Sequence, residues 1–367
     1  MLYFIIYKGE ILLPKLTQVK KWLQEKEVDA FLISKPEHCF YLSGFTGTSG
    51  CLVITNSLEK NFLITDFRYQ EQATEQAKGY DLVLWKETLF QTLGELFQQY
   101  GLKKVGIDQA EITLATYEKL KKNLVDVALF PLSDPCVALR KIKSIEELKL
   151  LKKAIEISDK AFLHILEFIH PGLTEKEIAL ELEFFMRRLG GTKMAFETIV
   201  ASKNRAALPH GVASSRVVQT GDLVLMDFGT VYQGYHSDLT RTIVLGEPDA
   251  LQEERYKLVL KAQEAVLQEI QPGMRACEAD ALARNIIAEA GYGKNFGHSL
   301  GHGVGLEIHE SPSLSPRDAT ILEPGMVLTV EPGIYISGWG GIRIEDMVVI
   351  TPGGCERLTK SPQVFKV

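Results

Sequence analysis

One pattern of glycines and carboxylates occurs twice in the second part of the chain, and it restricts the fold more than any other feature. Pro171-Gly172 precedes Gly190 by the same interval that separates Pro272-Gly273 from Gly291. Each interval reads as an amphipathic helix with a Pro-Gly lead-in and a glycine stop. Downstream, Gly221-Asp-Leu-Val-Leu-Met-Asp227 aligns with Gly325-Met-Val-Leu-Thr-Val-Glu331, each a glycine, an apolar strand and a terminal carboxylate. One duplication accounts for both pairs. Two matching halves imply packing about a pseudo-twofold axis, with the shared cleft as the natural place for a site.

Ahead of the repeat, helix and strand signals alternate. Leu16 to Glu25, Leu89 to Tyr100 and Ala115 to Lys122 have helical spacing, whereas Val28 to Ser34, Cys51 to Thr55 and Phe62 to Thr65 are short apolar runs. That alternation predicts an α/β domain. The glycine-rich Gly44 to Gly50 stretch lacks a following lysine and the dinucleotide-binding spacing, and reads as a turn between strands. Pro131-Leu-Ser-Asp-Pro135 is the expected linker, dividing the 367 residues into a domain over 1–134 and a second over 135–367. Ser144-Ile-Glu-Glu147 and Thr174-Glu-Lys-Glu177 each have the form of a capping box, in which side chains satisfy orphaned backbone donors at a helix start.

The 41 Lys and Arg against 47 Asp and Glu leave a net charge of −6, with no basic excess to neutralise nucleic-acid phosphates. The cysteines Cys39, Cys51, Cys136, Cys277 and Cys355 are scattered, which argues against a disulfide framework and for a reducing cytoplasm. No apolar run reaches the ~18 residues that cross a bilayer, so no membrane partner is expected. The apolar opening Met1 to Tyr7 has neither the flanks of a signal peptide nor those of an anchor. It reads as an extra edge strand, or else residues 1–13 lie upstream of the native start.

Each half of the repeat places two acids on facing hairpin strands, Asp227 with Asp238 and Glu331 with Glu345. Carboxylates ending apolar strands are costly to bury without compensation. Arg241 and Arg343 are the arginines near them, which leaves surplus negative charge and favours cations. Phe296-Gly-His298-Ser-Leu-Gly-His302-Gly-Val-Gly-Leu-Glu-Ile-His309 adds three imidazoles among glycines that let the backbone approach a cluster closely. Isolated histidines are ordinarily satisfied core residues, and His38, His164 and His170 are read that way. Four carboxylates with one imidazole form a hard donor set suited to Mn²⁺, with Co²⁺, Zn²⁺ or Fe²⁺ as alternatives. So many ligands serve two ions about 3.5–4 Å apart better than one.

The ordered blocks Ala207-Leu-Pro-His-Gly211, Asp227-Phe-Gly, Ser237-Asp-Leu-Thr-Arg241, Gly301-His-Gly-Val-Gly305, Val330-Glu-Pro-Gly333 and Arg343-Ile-Glu-Asp346 resemble the pita-bread metallopeptidases. The branch they resemble most is that of aminopeptidase P and Xaa-Pro dipeptidase (prolidase). The motifs span roughly Ile145 to Lys360, and the first domain is similar to that of creatinase and prolidase. The resemblance implies an α/β N-terminal domain and an α+β pita-bread C-terminal domain with an internal pseudo-twofold. It implies two divalent metal ions per subunit held by Asp227, Asp238, His302, Glu331 and Glu345, with Asp238 and Glu345 bridging. The implied reaction is hydrolysis of Xaa-Pro bonds in short peptides by a metal-bridging hydroxide, with Glu331 moving the proton. His210 and His309 match positions that contact substrate and steady the tetrahedral intermediate. His298, Arg343 and Tyr335 match substrate-contacting or supporting positions. A homodimer or larger homo-oligomer is implied as well, the N-terminal domain roofing the cleft or forming the interface.

The alternatives are a methionine-type aminopeptidase, whose chains typically lack such an N-terminal domain, and a binding member of the fold without metals, which should lack ligands. Prolidases often carry an arginine shortly after the last histidine, where it clamps a dipeptide's carboxylate. This chain has Ser313 there, read as exposed, and a serine cannot supply a bidentate ionic clamp.

Overall fold

The computed structural model describes residues 15–56 and 59–367. The expectations for residues 1–13 fall outside them. Two compact units are present, the first ending at Leu139 and the second covering Arg140–Val367.

The first unit is built on a mixed six-stranded sheet whose spatial order is Asp81–Leu84, Phe62–Thr65, Gly50–Thr55, Ala30–Ile33, Lys104–Asp108 and Ala128–Leu132. The last three of these run parallel to one another, and Ala30–Ile33 pairs antiparallel with Gly50–Thr55. Phe97, Leu93, Val105 and Ile107 pack with Val53 and Ile64 into its core. Helices occupy Lys15–Glu25, Leu89–Tyr100 and Leu114–Asn123, as the spacing predicts. Two local expectations are corrected. Gly44 does not join two strands; at φ 76° it ends a helix, Pro36–Ser43, whose buried residues mix polar with apolar and form no apolar face. The Pro131 to Pro135 stretch is structured too, being the end of one strand and the start of the helix Pro135–Leu139.

The second unit contains the duplication. Helices Ile145–Phe168 and Glu175–Arg188 form one pair, and Ala250–Glu269 and Ala276–Glu289 form the other. Both predicted capping boxes are present, with Ser144 Oγ accepting from the Glu147 amide at 3.3 Å and Thr174 Oγ1 from that of Glu177 at 3.2 Å. Gly172, Gly190 and Gly221 in the first half, and Gly273, Gly291 and Gly325 in the second, all have positive φ. The repeat read in the sequence is thus a repeat of left-handed backbone positions that side chains disfavour.

Each helix pair covers a sheet. In the first half, Leu223–Phe228 pairs antiparallel with Leu239–Val244, and Ile199–Ser202 lies on its other side. In the second, Val327–Val330 pairs antiparallel with Asp346–Thr351 within a five-stranded sheet. A small hairpin interrupts each pair, Thr230–Tyr232 with Tyr235–His236 and Gly333–Ile336 with Gly340–Arg343. Each half keeps its own apolar core, Phe162, Ile178 and Met226 in one and Val259, Ile287 and Leu328 in the other. No helix among the described residues is long and apolar enough to cross a membrane.

Candidate metal centre

The strand register brings the four acids together. Asp227 lies opposite Thr240, two residues beyond Asp238, and Val330 lies opposite Asp346, so Glu331 and Glu345 flank that pair. Ligand atoms of Asp227, Asp238 and Glu345 all lie within 4.8 Å of one another, and all three residues are buried. His302, on the short strand Gly301–Gly303, points Nε2 at Asp238 Oδ2 (3.5 Å) and Glu331 Oε1 (3.4 Å).

These groups oppose one another as they stand. Burial raises the Asp238 and Glu345 carboxyls well above the usual carboxylate range, and the neighbouring acids push them further. Burial raises Asp227 against the pull of Arg343, and lifts Glu331 to about 8 although the Arg343 guanidinium lies 4.0 Å away. Burial takes His302 down to about 4, so the ring is neutral at pH 7. Its Nδ1 is 3.0 Å from the Gly303 carbonyl, which places the hydrogen on Nδ1 and leaves a bare lone pair on Nε2 facing the carboxylates. Asp227 Oδ1 and Glu345 Oε1 are buried with no hydrogen-bond partner. Electron-rich atoms converging in this way need cations among them. Divalent ions fit this oxygen-rich set with its single imidazole.

Arg343 joins Asp227 with Nη2, donates from Nη1 to the Tyr335 hydroxyl at 2.6 Å and to the Pro209 carbonyl at 3.2 Å, and from Nε to Thr240 Oγ1 at 3.0 Å. Tyr335 in turn lies 3.0 Å from His298 Nε2. These three residues therefore form a chain behind Asp227. Arg241 does not reach the acid cluster: it is fully buried and pairs with Asp346, a fifth acid, at 2.7 Å. The surplus negative charge read from the sequence is larger for it. His210 and His309 come from exposed loop positions. His309 packs edge-on against His302, ring centres 4.4 Å apart, and His210 is near enough for its charge to act on Asp227, His298 and His309.

Other expectations are corrected. Ser313 is not exposed but partly buried, opposite His302 on the strand Glu310–Leu314. His170 is exposed and no core residue, whereas His38 is buried on Asp134 at 2.8 Å and His164 bonds Glu181 at 2.6 Å. Two hydroxyls escaped the sequence reading. Thr240 donates to Glu345 Oε2 at 2.7 Å, and Thr329 donates to Glu331 Oε1 at 3.1 Å. Each sits two positions from an acid on the same strand face, the signal that could have found it.

A buried nest of carboxylates and one neutral imidazole at the seam of two repeated halves defines a divalent-metal hydrolase centre. The comparisons with known proteins then fix its kind. Residues 149–352 match metallopeptidase family M24, residues 15–142 match the creatinase/prolidase N-terminal domain, and the chain belongs to that metallopeptidase family. It is 41% identical to an Xaa-Pro dipeptidase of Pyrococcus horikoshii, over 96% of this chain and 98% of the relative. Among solved structures it is similar to an Xaa-Pro dipeptidase from Bacillus anthracis (TM-score 0.93, 46% identity, 96% of this chain and 99% of that one). An X-Pro aminopeptidase from Thermotoga maritima is also similar (TM-score 0.88, 40% identity, 93% and 98%).

Proposed function

We propose that this protein hydrolyses Xaa-Pro bonds in short peptides, using two divalent ions held by Asp227, Asp238, His302, Glu331 and Glu345. The observation that carries the reading is the pair of orphaned, buried oxygens, Asp227 Oδ1 and Glu345 Oε1, beside a bare His302 nitrogen. When bound, such ions polarise the scissile carbonyl and acidify a water. Asp238 and Glu345, each buried against the other acids, are the carboxylates we assign to both ions. Glu331, whose carboxyl burial lifts to about 8, moves the proton to the leaving proline nitrogen. His210 and His309 contact the substrate carbonyl from the exposed side. His298, Tyr335 and Arg343 keep Asp227 oriented, as a hydrogen-bonded chain behind a ligand does.

The donor set suits Mn²⁺ best. Without a cation at Ser313 to clamp a dipeptide's carboxylate, peptides longer than two residues are substrates as well. The first unit supplies none of these residues, and we assign it a role in assembly as a homodimer or larger homo-oligomer. Five free cysteines favour action in a reducing cytoplasm. The test is metal analysis together with kinetics on Ala-Pro, Ala-Pro-Ala and Met-Ala. Chelation should abolish proline-directed cleavage and Mn²⁺ should restore it. Faster turnover of Met-Ala than of either proline peptide would sink the reading.

A further inference from the structure

His309, like His210, is a proposed substrate contact whose side chain no hydrogen bond holds among the described residues. The His309 ring packs on His302. Its orientation therefore depends on its backbone, and that backbone is fixed from the next residue. Glu310 is buried, its side chain 5% exposed, between two cations that are also buried, Arg140 (5%) and Lys143 (2%). Lys143 Nζ donates to Glu310 Oε2 at 3.1 Å, Arg140 Nη2 donates to Oε1, and Oε1 also accepts from the Glu307 amide at 3.1 Å. Arg140 Nη1 holds the Glu307 carboxylate at 2.8 Å.

The loop between His302 and Glu310 is thus gripped at both of its acids. The register of the two strands shifts between His302 and Gly303, the latter lying opposite Glu310, so the grip sits where the pairing is irregular. The same carboxylate explains a glycine. A Cβ on Gly305 would stand 2.5 Å from Glu310 Oε1, and the Gly305 carbonyl is needed to accept from the His236 amide at 2.9 Å. Burying three charges to hold a loop is expensive unless the loop's position matters.

We propose that Glu310, clamped by Arg140 and Lys143, is a positioning residue that sets His309 against the substrate. This rests on the reading of His309 as a substrate contact. The consequence is specific: neutralising Glu310 harms turnover only through His309. In the metal-loaded full-length enzyme, Glu310→Gln should lower kcat by roughly 10²-fold, the cost of a small misplacement of a reacting group, while KM changes little. Metal content should stay at the wild-type value. In a His309→Ala background the same substitution should cost nothing further. Lys143→Met, which leaves the Arg140 pair intact, should lower kcat by less, and Lys143→Arg should restore it. It also serves in the cycle if Glu310→Gln does not fold.

An equal fall in kcat with and without His309 would overturn the positioning role while leaving His309 in place. Wild-type turnover in Glu310→Gln would overturn it as well, and so would loss of metal from that variant. Unchanged kcat in His309→Ala alone would remove the reading of His309, and the clamp's role with it.

Discussion

The two halves of the second unit share a scaffold and differ at the ends of equivalent strands. Asp227 and Glu331 each close an apolar strand after a left-handed glycine, yet Asp227 is joined by the Arg343 guanidinium and Glu331 has a threonine hydroxyl. The second half also carries an extra strand, Glu310–Leu314, beside Gly301–Gly303, and His302 and His309 lie on and just before this strand pair. Symmetry thus supplies a four-carboxylate frame, and departure from symmetry sets a guanidinium against the effect of burial at Asp227, whereas burial lifts Glu331 to about 8.

The largest effect should come from Glu331. Glu331→Gln should lower kcat by roughly 10²–10⁴, the range a positioned acid–base group supplies, with metal occupancy verified by elemental analysis. Near-wild-type turnover in loaded protein would remove Glu331 from that role. Next comes the frame itself. Asp238→Asn should weaken metal binding more than Asp227→Asn, because Asp238 is assigned to both ions and Asp227 to one; calorimetric titration giving equal losses would break the assignment.

A smaller effect concerns the strand that only the second half has. Ser313→Arg should shift preference from Ala-Pro-Ala toward Ala-Pro by about 1.5–3 kcal/mol, the worth of a well-aligned charged hydrogen bond. A wild-type enzyme that already prefers the dipeptide strongly would mean that another cation holds the carboxylate.

The smallest effect is on stability. Burial raises Glu331 from 4.5 to about 8, so the neutral form is favoured in the folded protein. The stabilisation is full below the unfolded value and is lost as pH rises through 8. His298 and His302, lowered by burial from 6.5 to about 4, act in the opposite sense, but only below 6.5. Chelated protein should therefore melt a few degrees lower at pH 8 than at pH 6.5, with a shallower slope in Glu331→Gln. A melting temperature that rises over this interval would contradict the burial of Glu331.

What could be read in advance was local or periodic. The capping boxes at Ser144 and Thr174, the positive-φ glycines and the acids at strand ends are each written within a few consecutive residues. The helix Pro36–Ser43 was not legible, because its buried positions, His38, Cys39, Tyr41 and Ser43, follow no apolar stripe. Partners distant in sequence were illegible for another reason. Nothing near Thr240 announces Glu345, and nothing near Glu310 announces Arg140. Those pairings exist only once the register has been set, and Ser313 was misjudged on the same ground, its burial coming from the strand across from it.

Arg241 turns the repeat into something that cannot be taken apart. From the first half it donates to the Glu345 carbonyl and to Asp346 in the second, and to the Ser361 carbonyl near the end of the described chain. Its 0% exposure means that a separated first half would bury a cation with no counterion or expose a core strand. Whatever the ancestral half-length protein was, the present halves have lost their modularity. A gene for either one alone would encode a chain obliged to find the other.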